Sequence, residues 1–178
     1  MAVNYEVPGV ELVVQDQTMA CWFASAMMLI NWRERQSSNA VCRALDDETV
    51  KLYQANRGIG NAQILPLAKR LGLMHVSPMS PTPKAIENWL RSYGPLWTNG
   101  VTHIVVIAGI RGGDAQGYEV KVYDPAPGTG VSWRSLWGWY TGSDPGKHPE
   151  SSRDAGAGVE AVFLHLPVNA LSFLTLNR

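Results

Sequence analysis

Four residues carry the chemistry that this sequence suggests, and the first of them is Cys21. Cys21 opens a run without Gly or Pro that reaches about Arg35 and predicts a helix. Unpaired amide N–H groups and the helix dipole favour negative charge at such a start, so they would stabilise a thiolate, the nucleophilic form of cysteine. The alternative is a small buried hydrophobe, which is what most free cysteines are.

His103 and Asp124 are the second and third candidates. His103 stands at the front of the most apolar strand, in G-V-T-H-I-V-V-I-A-G, where a buried imidazole is costly unless something satisfies or uses it. Asp124, in V-Y-D-P, ends the next predicted strand. A hairpin at 112–114 would place both residues on one rim, where an aspartate can hold the imidazole in one tautomer. A satisfied strand-end histidine and an Asp-Pro turn remain the alternatives.

Gln15 is the fourth candidate, because it lies six residues before Cys21. Its side-chain amide could donate to an oxyanion beside the backbone N–H of Cys21. Gln17 competes for this role, and a surface polar residue is the alternative for both. Cys42 is the rival nucleophile, but no strong helix start precedes it. A Cys21–Cys42 disulfide is also open in an oxidising compartment and would abolish activity.

The elements that must position these residues change in character along the chain. The first part reads as an extended segment with an apolar, β-branched stretch at 10–14, followed by helices at 21–35, 46–56, 61–71 and 83–93. Pro66 indicates either a kink in the third helix or its true first turn. Short β-rich segments follow at 96–98, 102–110, 118–123 and 159–166. This order predicts one α+β domain over 1–178, with a helical half at about 1–93 and a β half at about 94–178.

Composition excludes several classes of protein. The chain has 178 residues, with 15 Lys plus Arg against 15 Asp plus Glu, and this neutral balance argues against nucleic acid or an anionic membrane as a partner. No apolar run approaches the length of a membrane span. Two cysteines without a C-x-x-C pair predict neither a zinc site nor a disulfide scaffold, and no metal or organic cofactor is implied.

The N-terminus has no basic region followed by an apolar region, so no Sec signal peptide is visible. If the protein leaves its cell, we expect another, effector-type route to carry it, with a cytoplasmic location before export. The Gly- and Pro-rich stretch 143–158 predicts a mobile surface loop. The aromatic cluster Trp133, Trp137, Trp139 and Tyr140 fits a binding wall beside the site or a cover for the sheet equally well.

The segments Q-D-Q-T-M-A-C-W-F-A-S-A-M-M, H-I-V-V-I-A-G and V-Y-D-P resemble the papain-like cysteine peptidases. The similarity is to their compact bacterial branch: staphopain-like peptidases, type III effector proteases and bacteriocin leader peptidases. The resemblance implies an oxyanion donor at Gln15, a nucleophile at Cys21, a base at His103 and its orienting group at Asp124. Trp22 matches the aromatic residue that follows the cysteine in the papain signature.

Some features depart from plant papain. Met19 and Ala20 precede the cysteine, the gap from Cys21 to His103 is short, and the third member is Asp rather than Asn, for which the same orienting role is expected.

The resemblance implies a papain-like fold, in which a central cysteine helix packs on an antiparallel β half-barrel. It also implies a cysteine peptidase that works through a Cys-His-Asp triad and a thioester, set in a bacterial effector or toxin. A protein or peptide would be the substrate, and a cognate inhibitor or immunity protein is a candidate partner. The alternatives are a deamidase, isopeptidase or acyltransferase on the same fold, and a catalytically silent peptide-binding domain.

Overall fold

The computed structural model describes residues 1–36, 45–76, 82–99, 103–136 and 162–168. These residues form four helices, which are α1 (Cys21–Gln36), α2 (Asp47–Gln54), α3 (Asn61–Leu71) and α4 (Pro83–Tyr93). They also form seven strands, which are β1 (Val3–Glu6), β2 (Met74–Val76), β3 (Leu96–Asn99), β4 (Ile104–Gly113), β5 (Gly117–Asp124), β6 (Gly130–Ser135) and β7 (Phe163–His165).

The strands build one open antiparallel sheet in the order β2-β7-β3-β4-β5-β6, and β1 pairs with β4. The predicted α+β class is therefore confirmed. Both β1 and β2 come from the stretch that the sequence analysis assigned to the helical half. The sheet is thus assembled from both parts of the chain.

Helix α1 is the central helix of the core, as its apolar composition predicts. Trp22, Met28 and Leu29 on this helix are fully buried. Two buried hydrogen bonds fasten it to the sheet: Ser25 Oγ donates to the Ile104 carbonyl at 3.2 Å, and Trp97 Nε1 donates to the Trp22 carbonyl at 3.1 Å. These bonds fix the beginning of α1 against β3 and the start of β4.

The remaining helices begin and end where local chemistry dictates. Asp46 caps α2 by accepting from the Thr49 N–H, and Thr82 caps α4 immediately before Pro83. Gly72 ends α3 in the left-handed conformation. Pro66 lies in the interior of α3, so its placement in a first turn was wrong.

The structure differs from the sequence expectation at three places. Strand β1 was not predicted and gains its partner from β4, whereas the apolar stretch 10–14 lies in no strand. The β4–β5 hairpin turns at 114–116, since Gly112 and Gly113 still pair with β5. Strand β6 was not predicted at all. The expected loop at 143–158, Cys42 and the start of the last expected strand lie outside the described residues.

In the part of the chain that the structure describes, no helix has the length and apolarity needed to cross a membrane.

Gly94, which follows α4, provides a test of how the core holds α1. Its backbone has φ 80° and ψ −150°, and a Cβ atom there would lie 2.4 Å from Cη2 of Trp32 on α1. Gly128 is the matched control, because its φ is 83° but a Cβ would meet nothing within 4 Å.

We expect Gly128→Ala to lower the free energy of unfolding by about 1–2 kcal/mol through the positive φ alone. Gly94→Ala should cost about 1–3 kcal/mol more, because the indole must also move and because φ 80° with ψ −150° is a backbone region that only glycine adopts readily. Urea unfolding of both variants measures the difference. Equal losses of unfolding free energy in the two variants would mean that the Trp32 indole moves aside at no cost in stability.

Candidate active site

Cys21 is the first residue of α1 and is half-buried. The residues on either side of Cys21 are tied to the segment that follows α2: the Met19 N–H donates to Asn56 Oδ1 at 2.9 Å, and Trp22 Nε1 donates to the Arg57 carbonyl at 2.9 Å. The Ala20 carbonyl accepts from the N–H groups of the following helical turn. The thiol therefore lies at a helix start that is held by hydrogen bonds of the residues before it and after it.

His103 lies immediately before β4, and its ring is mostly buried, with 10% of the side chain exposed. Its Nε2 donates to Asp124 Oδ1 at 2.7 Å. A second side-chain hydrogen bond joins the imidazole to Cys21. Since Nε2 serves Asp124, Nδ1 is the nitrogen left for the thiol.

The structure thus brings Cys21, His103 and Asp124 together. His103 precedes β4 and Asp124 ends β5, and the hairpin pairing of these strands sets the two side chains on one rim. The Ser25–Ile104 hydrogen bond then brings the Cys21 end of α1 to the same place.

Asp124 is almost completely enclosed, with 1% of its surface exposed. Its Oδ1 accepts from His103 and from the Ala126 N–H at 2.9 Å, and its Oδ2 accepts from Arg134 Nη2 at 3.0 Å. Burial alone would raise the pKa of this carboxyl, but the hydrogen bonds from His103, Ala126 and Arg134 hold the pKa well below its usual range. Asp124 is therefore a permanent anion at neutral pH.

The same contacts act in the opposite direction on His103. Burial alone would lower the pKa of the imidazole, but its hydrogen bonds to Asp124 and Cys21, and the charges of both, raise the pKa to about 9. The imidazole is therefore protonated at neutral pH.

Gln15 lies beside this cluster. Its N–H donates to the Pro125 carbonyl at 2.8 Å, which ties it to the turn after Asp124. Its side-chain Nε2 donates to the carbonyls of Gln17 and Thr18, each at 3.0 Å, so both amide hydrogens brace the loop that leads to Cys21. The Gln17 side chain is instead hydrogen-bonded to Tyr53 on α2.

Sequence reasoning missed Arg134, which comes from the unpredicted strand β6. Its side chain is 3% exposed and forms an ion pair with Asp124. The signal lay in the alternation of V-S-W-R-S, where Ser132 and Arg134 fall on the face opposite Trp133. A charged side chain on the core-facing side of a strand is stable only with a buried partner of opposite charge.

Two further candidates lie away from the cluster. Trp133 packs under the Arg111 guanidinium, 4.2 Å from the ring centroid, whereas the other three members of its predicted aromatic cluster lie outside the described residues. His165 is buried and its ring stacks on that of Tyr93, with 3.9 Å between the ring centroids. Burial lowers the pKa of His165. These contacts explain both residues as parts of the packing.

The pKa of His103 offers a direct test of its contact with Cys21. Because the Cys21 side chain helps to raise this pKa, Cys21→Ala should lower it from about 9 towards the ordinary 6.5, while the Asp124 bond keeps it above that value. An NMR titration of the imidazole measures the change. An unchanged midpoint would mean that thiol and imidazole do not interact.

Comparison with curated protein sequences gave no match. Two solved structures share the fold. UfSP from C. elegans matches with a TM-score of 0.62 and 13% identity over 96% of this chain, which spans 35% of the UfSP chain. A double glycine motif protease from an AMS/PCAT transporter, solved with its leader peptide, matches with a TM-score of 0.50 and 16% identity over 92% of this chain and 97% of that one.

These two likenesses confirm the predicted papain-like fold. A family model described as papain-like cysteine protease AvrRpt2 matches residues 1–141, which is more than half of the chain. The match also confirms the predicted family resemblance. The chain belongs to this Peptidase C70 family of papain-like cysteine proteases.

Proposed function

We propose that this chain hydrolyses peptide bonds with Cys21 as the nucleophile, His103 as the acid and base, and Asp124 as the group that orients His103. One observation carries this assignment. The His103 imidazole is bonded on one side to the buried carboxylate of Asp124 and on the other to the thiol at the start of α1. This arrangement has the geometry that nucleophilic catalysis by cysteine needs.

The protonated state of His103 explains how the thiol is activated. With its pKa raised to about 9, the imidazole keeps its proton at neutral pH and favours a thiolate beside it. The thiolate attacks the carbonyl carbon of the scissile bond, and the carbonyl oxygen takes up the negative charge. The helix-start N–H of Cys21 is one donor to this oxyanion.

His103 then gives its proton to the leaving amine, and the tetrahedral species collapses to a thioester on Cys21. The neutral imidazole next accepts a proton from water, whose oxygen attacks the thioester. The acid product leaves as the thiolate and the imidazolium form again. Asp124 keeps Nε2 occupied throughout, so Nδ1 is the nitrogen that carries the moving proton.

Gln15 is the proposed second oxyanion donor. Its backbone bond to Pro125 holds it close to the triad, but its amide hydrogens bond two loop carbonyls. Donation to the oxyanion therefore requires the side-chain amide to leave one of these carbonyls as the tetrahedral species forms.

An extended protein or peptide segment is the proposed substrate. The structurally similar double glycine protease was solved with a leader peptide, which supports a peptide as the ligand of this fold. A bacterial effector or toxin role rests on the resemblance to type III effector proteases alone, and an inhibitor or immunity protein would be the matching partner. Export from the producing cell belongs to the same proposal.

Cys21→Ala tests the nucleophile. We expect the variant to lose nearly all turnover in a digest of a cell lysate, while Cys42→Ala, the matched control, keeps wild-type activity. Mass spectrometry of the digest identifies the reaction: new peptide termini indicate a peptidase, and a mass gain of about one unit per site indicates deamidation.

Loss of activity in Cys42→Ala with activity kept in Cys21→Ala would overturn the assignment. Expression of wild type and Cys21→Ala in bacterial and eukaryotic cells tests the effector role. Equal growth with both proteins in both hosts would argue against a toxin.

Gln15→Ala and Gln17→Ala separate the two glutamines. We expect Gln15→Ala to lower kcat about 10²–10³-fold, equivalent to about 2.7–4 kcal/mol, with KM little changed, because an oxyanion donor acts only in the transition state. Gln17→Ala should have a small effect, since its side chain is turned to Tyr53. Steady-state kinetics decide, and a larger loss from Gln17→Ala would reverse the assignment.

A further inference from the structure

Arg134 has an unusual place for an arginine, because it projects from the middle of β6 into the core-facing side of the sheet. Only 3% of its side chain is exposed. Its Nε donates to Ser132 Oγ at 3.1 Å, and its Nη2 donates to Asp124 Oδ2 at 3.0 Å. A guanidinium buried to this extent must have an anionic partner nearby, and that partner is Asp124.

The two oxygens of Asp124 are divided between separate donors. Oδ1 accepts from His103 Nε2 and from the Ala126 N–H, whereas Oδ2 accepts from Arg134. All three groups donate a hydrogen bond to the carboxylate. A side chain at position 124 must therefore have a hydrogen-bond acceptor in the place of each carboxylate oxygen.

We propose that Arg134 is a positioning residue for the triad, and that it requires aspartate rather than asparagine as the third member. The proposal rests on the proposed function, because it assigns Arg134 a role through Asp124. It also differs from the expectation that asparagine would orient His103 equally well in this chain.

The consequence for an asparagine in place of Asp124 follows from its amide. If the amide oxygen faces His103 and Ala126, the NH₂ group faces the guanidinium, and two donors meet in a buried site. If the amide is turned over, the NH₂ group meets the imidazole N–H and His103 loses its acceptor. Both orientations also leave the buried guanidinium without its counter-charge.

This conflict predicts that the defect of Asp124→Asn is relieved by a second change at Arg134. A glutamine in place of Arg134 removes the cation and offers an amide oxygen that can accept from the asparagine NH₂. Compensation of this kind depends on direct contact between the two side chains, and a merely structural role of Arg134 would not produce it.

The experiment compares wild type, Asp124→Asn, Arg134→Gln and the double variant by kcat and KM on one peptide substrate. We expect both single variants to lose kcat with KM little changed. The double variant should recover at least about tenfold in kcat over Asp124→Asn. A double variant no faster than Asp124→Asn, or an Asp124→Asn variant as active as wild type, overturns the proposal.

Arg134→Lys provides a second arm in case Arg134→Gln fails to fold, which circular dichroism and urea unfolding reveal. Lysine keeps the positive charge, so Arg134→Lys alone should retain more kcat than Asp124→Asn. It should not relieve Asp124→Asn, because a buried cation would still face the asparagine NH₂. Relief by lysine would contradict the proposed mechanism.

A substrate-free readout separates this proposal from the proposed function. The rate at which iodoacetamide alkylates Cys21 at pH 6, followed by mass spectrometry, reports the thiolate beside protonated His103. We expect the same pattern across the wild type and the three variants, with slow alkylation in Asp124→Asn and restored alkylation in the double variant. That pattern without peptide hydrolysis would refute the peptidase assignment and keep the role of Arg134. Peptide hydrolysis without this alkylation pattern would refute the role of Arg134 and keep the peptidase assignment.

Discussion

A carboxylate that is 99% enclosed by protein is the constraint on which this site depends. Asp124 can stay ionised there only because donors converge on it from three separate places: the residue before β4, the turn after β5, and β6. Those donors meet only in one register of the β4–β5–β6 meander. A slip of one residue would send Asp124 to the opposite face of the sheet, so the strand pairing and the chemistry are set together.

The position of the Cys21 thiol depends on a different set of contacts, which involve β3 and β4. Ser25 bonds the Ile104 carbonyl and Trp97 bonds the Trp22 carbonyl, so the first turns of α1 are fixed to β4 and β3 within the core. The Gln15 N–H bonds the Pro125 carbonyl and joins the loop before Cys21 to the turn that also holds Asp124. The Cys21 thiol, the His103 imidazole and the Asp124 carboxylate therefore keep their spacing through hydrogen bonds that join the helix, the strands and the loop.

The sequence predicted those parts of the molecule in which local pattern and tertiary contact agree. Helix α1 was recognisable from its uninterrupted apolar run, and the caps at Asp46 and Thr82 and the stop at Gly72 marked the other helices. Strand β1 was missed because four residues gain strand geometry only by pairing with β4. Strand β6 was missed because the face that is buried carries Arg134, while the apolar Val131 lies on the exposed face. The inward position of Arg134 is explained by its ion pair with Asp124, which the sequence alone does not reveal. The hydrogen bonds of the Gln15 amide depend on the local path of a loop, and residue spacing does not determine that path.

With Cys21 in the thiolate form that the proposed mechanism requires, the groups of the site form a row in which charge alternates: thiolate, imidazolium, carboxylate and guanidinium. Each inner group is flanked by opposite charges, as the contacts of His103 and Asp124 show. An isolated ion is costly to bury. Four groups of alternating charge have no net charge, and each group offsets part of the free-energy cost of removing its neighbour from water. Removal of Arg134 or of Asp124 leaves an odd member, so the remaining charges must find water or change their protonation. Arg134 thus belongs to the same electrostatic unit as the thiol, although β6 carries it far along the chain from Cys21.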